Sequence, residues 1–362
     1  MALRASRIAP TLPRRMSNLV AVVAQSRVDG GAEKYLRMLY EDQDDVILFG
    51  SIPRWSGRKV PVELGPKWDR RTLLPGLLRL PSEQGSIRAA LLDHPPRTSH
   101  VQFKREQIGF SRLLSQFGRV VWTEHGVLEG RMRAALGAAY RRAARHADTI
   151  ICVSQEVAAS ISELVDDTSK LVVIENPVDT RARRIPTVRE RTEARRSLGI
   201  RADTPLAVWV GRLDPGKRPL LAQRVGKEWH GTLLLAGDGR LRPQIIDGEG
   251  VRSLGYVEPT PLYIAADVLL MTSDGSGEGL PNNVLLEAAA HGVPAVVDGR
   301  VPGFARIAQE ADGVAVTDDL AWRTALDEVI RGPSRRDAAR AWALKHDTAN
   351  WRRKHQSVLW PG

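Results

Sequence analysis

A single cysteine, Cys152, stands in 362 residues, so neither a disulfide framework nor a cysteine-ligated zinc cluster is available. It lies in the apolar run Thr149, Ile150, Ile151, Cys152, Val153, where a small buried hydrophobe is expected. A reducing, cytoplasmic setting suits such a chain. Long hydrophobic runs are missing as well. Gly, Asp or Arg interrupts every apolar stretch before the roughly 18–20 residues needed to cross a bilayer. Before Met16 there is no acidic residue, only Arg4, Arg7, Arg14 and Arg15, and no continuous apolar segment of the kind a secretory signal requires. Residues 1–15 are therefore read as a disordered leader. Internal repeats, zinc spacings, helix-turn-helix signatures and aromatic-studded RNA motifs are also lacking, which makes nucleic acid an unlikely partner.

Positive charge is in excess. Lys and Arg number 53 against 42 Asp and Glu, for a net charge of +11. Such a surface attracts phosphate-bearing molecules, whether nucleotide, anionic lipid or nucleic acid, and peripheral contact with the inner face of an anionic membrane is one expectation. Many arginines, those of residues 181–201 included, also read as ordinary solvated surface. With 43% hydrophobic residues the chain is long enough for two domains of ordinary size.

Short apolar runs recur between longer helical patterns. Leu19 to Ala24, Val46 to Phe49, Val120 to Trp122, Thr149 to Val153 and Leu171 to Ile174 read as parallel strands buried by helices on both faces. After Asn176, Pro177, Val178 and Asp179 comes an arginine-rich connector with Pro186 and a short helix over Glu190 to Leu198. The strand pattern restarts at Leu206 to Val210, Thr232 to Ala236, Val268 to Thr272 and Pro294 to Val297. The economical reading is α/β, with two Rossmann-like doubly wound domains, residues 16–180 and 181–340, facing a central cleft. The tail from Ala338 to Trp360 reads as helix, and residues 341–362 are expected to pack across the domains through Trp342, Trp351, Val358, Leu359 and Trp360.

Open α/β sheets bind ligands at the carboxyl ends of their strands, and the candidate motifs follow strands. Gly211, Arg212, Leu213, Asp214, Pro215, Gly216, Lys217 places two cations around one turn, where a diphosphate fits between them; a basic surface turn is the plain alternative. Gly237, Asp238, Gly239 allows close backbone approach, or is an ordinary loop. The strongest segment runs from Ser273 through Gly275, Gly277, Glu278, Gly279, Leu280, Pro281 and Asn282 into a helix, so that amides at a helix start face the cleft as a phosphate site. Glu287 on that helix suits ribose hydroxyls, and Glu278 suits hydroxyls of a sugar. In the first half, Gly30 and Gly31 follow the opening strand, as a loop that approaches a ligand or as a plain turn. His125 closes Thr123, Glu124, His125, Gly126 after another strand, with a structural and a functional reading both open.

The segment Val210 to Glu287 resembles the carboxy-terminal half of the retaining, GT-B fold glycosyltransferases of family 4, the glycogen synthase and mannosyltransferase-like group. The likeness extends over nearly the whole chain after Met16. It implies that Gly211, Arg212 and Lys217 bind the donor diphosphate and that Glu278 and Glu287 are the family's paired glutamates, here separated by eight residues where seven are usual. It implies donor contacts from Gly30, Gly31, Gly237, Gly279, Leu280 and Pro281, and a base-binding strand end at Gly255, Tyr256 and Val257, where backbone groups read the base. His125 then lies near the transferred sugar, with Ser154, Asn176, Pro177 and Asp179 closing the first domain. The implied activity is transfer of a hexose from a nucleotide diphosphate sugar, UDP- or GDP-linked, to an unidentified hydroxyl acceptor that is a glycan, a lipid-linked molecule or a small molecule. Retention of configuration is implied, with no metal and no cofactor. The acceptor surface falls to first-domain loops between about Gly50 and Gln116. Two rivals remain open, a nucleotide-sugar epimerase of the same fold and a non-enzymatic binder of anionic surfaces.

Overall fold

Valine, isoleucine and leucine in runs of four to six residues pack on both faces of a pleated sheet when helices cover it, and here they do so twice. The computed structural model describes residues 18–361 apart from 41, 69–70, 127–129 and 276–279. The leader, Gly277, Glu278 and Gly279 lie outside the described residues. The first sheet comprises β1 (Val20–Gln25), β2 (Val46–Ser51), β3 (Lys59–Val60), β4 (Thr98–Val101), β5 (Arg119–Glu124), β6 (Thr149–Cys152) and β7 (Leu171–Val173). The second comprises β8 (Leu206–Val210), β9 (Thr232–Ala236), β10 (Val251–Gly255), β11 (Val268–Met271), β12 (Ala295–Asp298) and β13 (Val314–Val316).

Every strand pair is parallel, in the orders β3-β2-β1-β4-β5-β6-β7 and β10-β9-β8-β11-β12-β13. Strand order therefore reverses between β1 and β4 in one sheet and between β8 and β11 in the other, the two places where such sheets bind ligands. The first sheet is covered by α1 (Gly31–Tyr40), α2 (Leu73–Asp93), α3 (Lys104–Leu114), α4 (Gly130–Ala144) and α5 (Gln155–Ser162). The second carries α6 (Val188–Ser197), α7 (Pro219–Glu228), α8 (Thr260–Ala265), α9 (Asn283–Ala290), α10 (Pro302–Glu310) and α11 (Trp322–Arg331). Alternation along β8 feeds two cores, since Leu206 and Val208 pack with Leu286 and Phe304 on one face while Ala207 and Trp209 pack with Trp322 and Leu326 on the other.

Strand β4 escapes the sequence pattern because Thr98, Ser99 and His100 are polar, although all three are fully buried. For Thr98 and His100, bonding explains the burial, whereas the Ser99 hydroxyl is buried without a hydrogen-bond partner among the described residues. The Thr98 hydroxyl donates to the Leu359 carbonyl at 2.8 Å, and His100 bonds the Tyr40 hydroxyl at 2.6 Å and the Thr123 hydroxyl at 2.8 Å. The connector helix α6 is fastened by a reciprocal cap between Thr187 and Glu190.

The tail is two helices rather than the single one expected. In α12 (Arg336–Lys345), Ala339, Trp342 and Ala343 join the second domain's core, whereas Trp351 and Leu359 of α13 (Thr348–Leu359) join the first domain's core. The break has a local cause. Asp347 caps α13 by accepting from the Ala349 amide at 2.8 Å, and it also accepts from the Thr180 hydroxyl. Val178 pairs with this break, donating to the His346 carbonyl and accepting from the Thr348 amide. The two crossings between domains thus run side by side.

Candidate active site

Three loops meet at the carboxyl ends of β8, β9 and β11. The Gly211 amide donates to the Ala236 carbonyl and the Leu213 amide to the Asp238 carbonyl, which ties the first loop to the second. Gly237 is obligatory there: its φ is +149°, and a Cβ would lie 1.8 Å from the Gly211 carbonyl oxygen. The third loop is tied to the first by the Asp274 amide and the Ser273 hydroxyl, both donating to the Gly216 carbonyl, and by the Thr272 hydroxyl, which donates to the Lys217 carbonyl. Lys217 ends a short helical turn over Pro215–Lys217. Arg212 stands 78% exposed, in an ion pair with Asp214 at 3.1 Å.

Beyond the third loop, Asn282 caps α9 by accepting from the Leu285 amide at 3.0 Å, so the helix begins one residue past the expected start. One turn on, Glu287 accepts from Arg183 at 3.2 Å. Burial pushes the Glu287 carboxyl above its ordinary range, opposed by the charges of Arg183 and Lys34. Asn176 reaches across from the first domain and donates to the Pro281 carbonyl at 3.1 Å.

The facing wall belongs to β1, α1 and β5. Glu33, buried in the first turn of α1, accepts from the Gly30 amide at 3.0 Å and pairs with Lys67 at 2.5 Å. Burial alone would raise its pKa, but hydrogen bonds from Lys67 and Ser26 hold it below the usual carboxylate range. His125 follows β5. Its Nε2 lies 3.0 Å from Gln102 Oε1, while Gln102 Nε2 donates to the Ala32 carbonyl at 2.8 Å. A carbonyl accepts only, so the Gln102 amide has one consistent orientation and His125 Nε2 must carry the proton. Burial, followed by Lys104, drives the His125 pKa down to about 3. The ring is neutral at physiological pH, packed edge-on against Tyr35, with Nδ1 as an acceptor.

Both walls enclose a cavity of about 410 Å³ lined by Gly31, Lys34, Tyr35, His125, Asn176, Asp179, Arg183, Asn282, Asn283 and Glu287. Of the expected residues, it gathers Gly31, His125 and Glu287, with Asn176, Pro177 and Asp179 from the end of the first domain. Arg212, Lys217, Gly211 and Gly237 lie instead in the knitted loops of the second sheet, outside that lining. Tyr256, 88% exposed, and Val257 follow β10 and do not line the cavity, while Leu280 is buried. Arg183, Lys34, Tyr35 and Gln102 were missed. Arg183 reads in the sequence as one more linker arginine, and only the fold brings it to Glu287.

A second cavity, of about 630 Å³, opens beside the end of β1 and is lined by Ser26, Arg27, Lys67, Arg79, Ser82 and Ser86, among others. Under its wall, buried Arg105 bridges Glu83 and Glu106. Burial lifts Glu106 to about 7 against the pull of Arg105. Glu83 also accepts from the Gly65 amide, and Glu106 from the Gln25 amide, so this triad ties α2, α3, β1 and the loop before α2 together.

Two family models match this chain: one described as Glycosyltransferase Family 4 over residues 30–182, and one described as Glycosyl transferases group 1 over residues 204–331. Curated relatives include a D-inositol 3-phosphate glycosyltransferase of Corynebacterium urealyticum, 29% identical over 227 residues, or 56% of this chain and 53% of that protein. The enzyme of the same name in Mycobacterium tuberculosis is 25% identical over 47% of this chain and 39% of its own length. The chain thus spans about half the length, or less, of the curated relatives it matches. Among solved structures, Anabaena HepE in complex with UDP superimposes with a TM-score of 0.76 at 17% identity, over 94% of this chain and 99% of that one. The sucrose-phosphate synthase of Thermosynechococcus elongatus gives 0.74 at 18% identity, over 94% and 98%. These likenesses show a shared fold, the GT-B pairing of two Rossmann-like domains.

Proposed function

The chain belongs to the group 1 glycosyltransferases of family 4, and from that premise we propose that it moves a hexose from a nucleotide diphosphate sugar to a hydroxyl acceptor. One observation carries the reading: His125 and Gly31 of one domain and Glu287 of the other line a single cavity between two parallel sheets, beside three knitted loops at the β8/β11 reversal. The Gly211 to Lys217 loop holds the departing diphosphate, with Arg212 turning from Asp214 to the ligand as charge develops. Glu287 accepts from the ribose hydroxyls. Neutral His125 accepts a hydroxyl of the sugar at Nδ1. Transfer is read as retaining and metal-independent, as the family likeness implies. UDP and UDP-glucose in complexes of the Anabaena neighbour support a UDP-sugar as the donor.

The 630 Å³ cavity is read as the acceptor site. Its Arg27, Lys67 and Arg79, together with relatives named for D-inositol 3-phosphate, support a polyhydroxylated, phosphate-bearing acceptor. The basic surface supports peripheral contact with an anionic membrane.

The test is acceptor-independent hydrolysis of UDP-, GDP- and ADP-sugars, compared with Arg212→Ala, Lys217→Ala and Glu287→Gln. Either cation variant is expected to abolish turnover with the fold intact. Glu287→Gln is expected to lose about 1.5–3 kcal/mol of nucleotide affinity, roughly tenfold to a hundredfold by calorimetry. Near-normal turnover in Arg212→Ala or Lys217→Ala would sink the assignment.

A further inference from the structure

Helix α2 turns three faces to three surroundings. At about 100° per residue, Gly76, Glu83, Ile87 and Leu91 fall on one side and are buried. Arg79, Ser82 and Ser86 fall on a second side and line the 630 Å³ cavity. The side opposite the core carries Leu74, Leu78 and Leu92, exposed by 73%, 85% and 60%, with Leu77 beside them. Four of the eleven large exposed hydrophobics among the described residues lie on this helix, and a fifth, Val28, lines the cavity it walls. Single exposed leucines need no explanation, but this clustering does.

The exposed charges around the strip are mostly positive. Arg79 and Arg88 are exposed on α2, Arg71 is exposed just ahead of it, and Arg88 falls within the leucine strip. The helix has only two acidic residues: Glu83, buried and bound to Arg105, and Asp93 at its end. Neither Arg79 nor Arg88 pairs with a carboxylate among the described residues. A second copy of this face would meet it with like charge, whereas an anionic bilayer complements both the arginines and the leucines.

We propose that α2 docks this protein on an anionic membrane, with its leucine strip at the boundary of headgroups and acyl chains, and so opens the 630 Å³ cavity onto that surface. The docking stands apart from the transferase reading. Its consequence, that the acceptor is the phosphate-bearing headgroup of a membrane lipid, rests on reading the cavity as the acceptor site.

Flotation of the full chain with phosphatidylglycerol-containing vesicles and with pure phosphatidylcholine vesicles, at low and moderate salt, tests the docking. Binding to the anionic vesicles is expected, weakening with salt, with little binding to the neutral ones. Leu74→Ser with Leu78→Ser is expected to cut vesicle binding by about tenfold or more and to leave nucleotide affinity unchanged. Arg88→Gln is expected to weaken binding at low salt. Should the double variant misfold, Leu78→Ser alone carries the same test at the most exposed position. The proposal is overturned if the protein stays off anionic vesicles, if the leucine variants float undiminished, or if light scattering finds a dimer that those variants split. Because nucleotide affinity is read separately, loss of the donor site and loss of docking are told apart.

Discussion

His125 is held neutral and in one tautomer by a partner that is itself pinned. Gln102 spends its amide nitrogen on the Ala32 carbonyl and its oxygen on His125 Nε2, which leaves Nδ1 as the acceptor beside the cleft. Gln102 is therefore a positioning residue. Gln102→Glu would give His125 an anionic partner and raise its pKa from about 3 toward neutrality. Protonation would then remove the Nδ1 lone pair, so transfer by this variant is expected to fall as pH drops from 7 to 5, where the parent holds its rate. The ¹⁵N shifts of the ring would report the protonation directly, and a ring unchanged by the substitution would refute the role. Little of this was visible in one dimension. The strand-end position marked His125 as a candidate, but nothing near Gln102 in sequence hints at a neighbour 23 residues away.

Among the elements, α13 most directly links the cleft to the rest of the fold. His355 Nδ1 donates to the Trp351 carbonyl, so its Nε2 accepts from the Tyr35 hydroxyl at 2.5 Å, and Tyr35 in turn packs against His125. Arg352 of the same helix donates to the Met38 carbonyl at 2.7 Å. Its start depends on Asp347. Asp347→Ala is expected to cost about 1 kcal/mol by loss of the cap, and Asp347→Asn to recover most of it, since asparagine caps equally well. Urea midpoints of the two variants check this. The sequence marks helix throughout this tail by its apolar spacing. It hides the break, because His346 and Asp347 become a terminus only when Val178 and Thr180 approach from the other crossing. Strand β4 was hidden for a related reason, as Thr98 and His100 are buried with partners from other elements that satisfy them.

At the scale of the molecule, buried histidines couple stability to pH. His100 and His125 are held down to about 3 and His355 to about 4, chiefly by burial, and His291 is lowered as well. Groups with depressed pKa values of this kind are neutral when folded and take up protons when unfolded, so their contribution is full above the unfolded value near 6.5 and is lost as pH falls. Glu106, raised to about 7, and Glu287, also raised, act in the opposite sense over part of that range. Four histidines against two carboxyls leave a net loss of stability on acidification from about 6.5 toward 4.5, at up to about 1.4 kcal/mol per pH unit for each unopposed histidine. Thermal unfolding across that window should show a falling midpoint, and His355→Gln should flatten the slope. The fold class was legible in the sequence alone, because alternating short apolar runs and helical patterns are a local consequence of burying a parallel sheet on both faces. The loops that carry Arg212, Lys217 and Gly237 were legible for the same reason, since turn chemistry at strand ends depends on neighbouring residues. What the tertiary structure decided is which side chains share a cavity. Arg183 with Glu287, Gln102 with His125, and a helix whose outward face is leucine are facts of packing between distant segments, and local sequence preference does not encode such meetings.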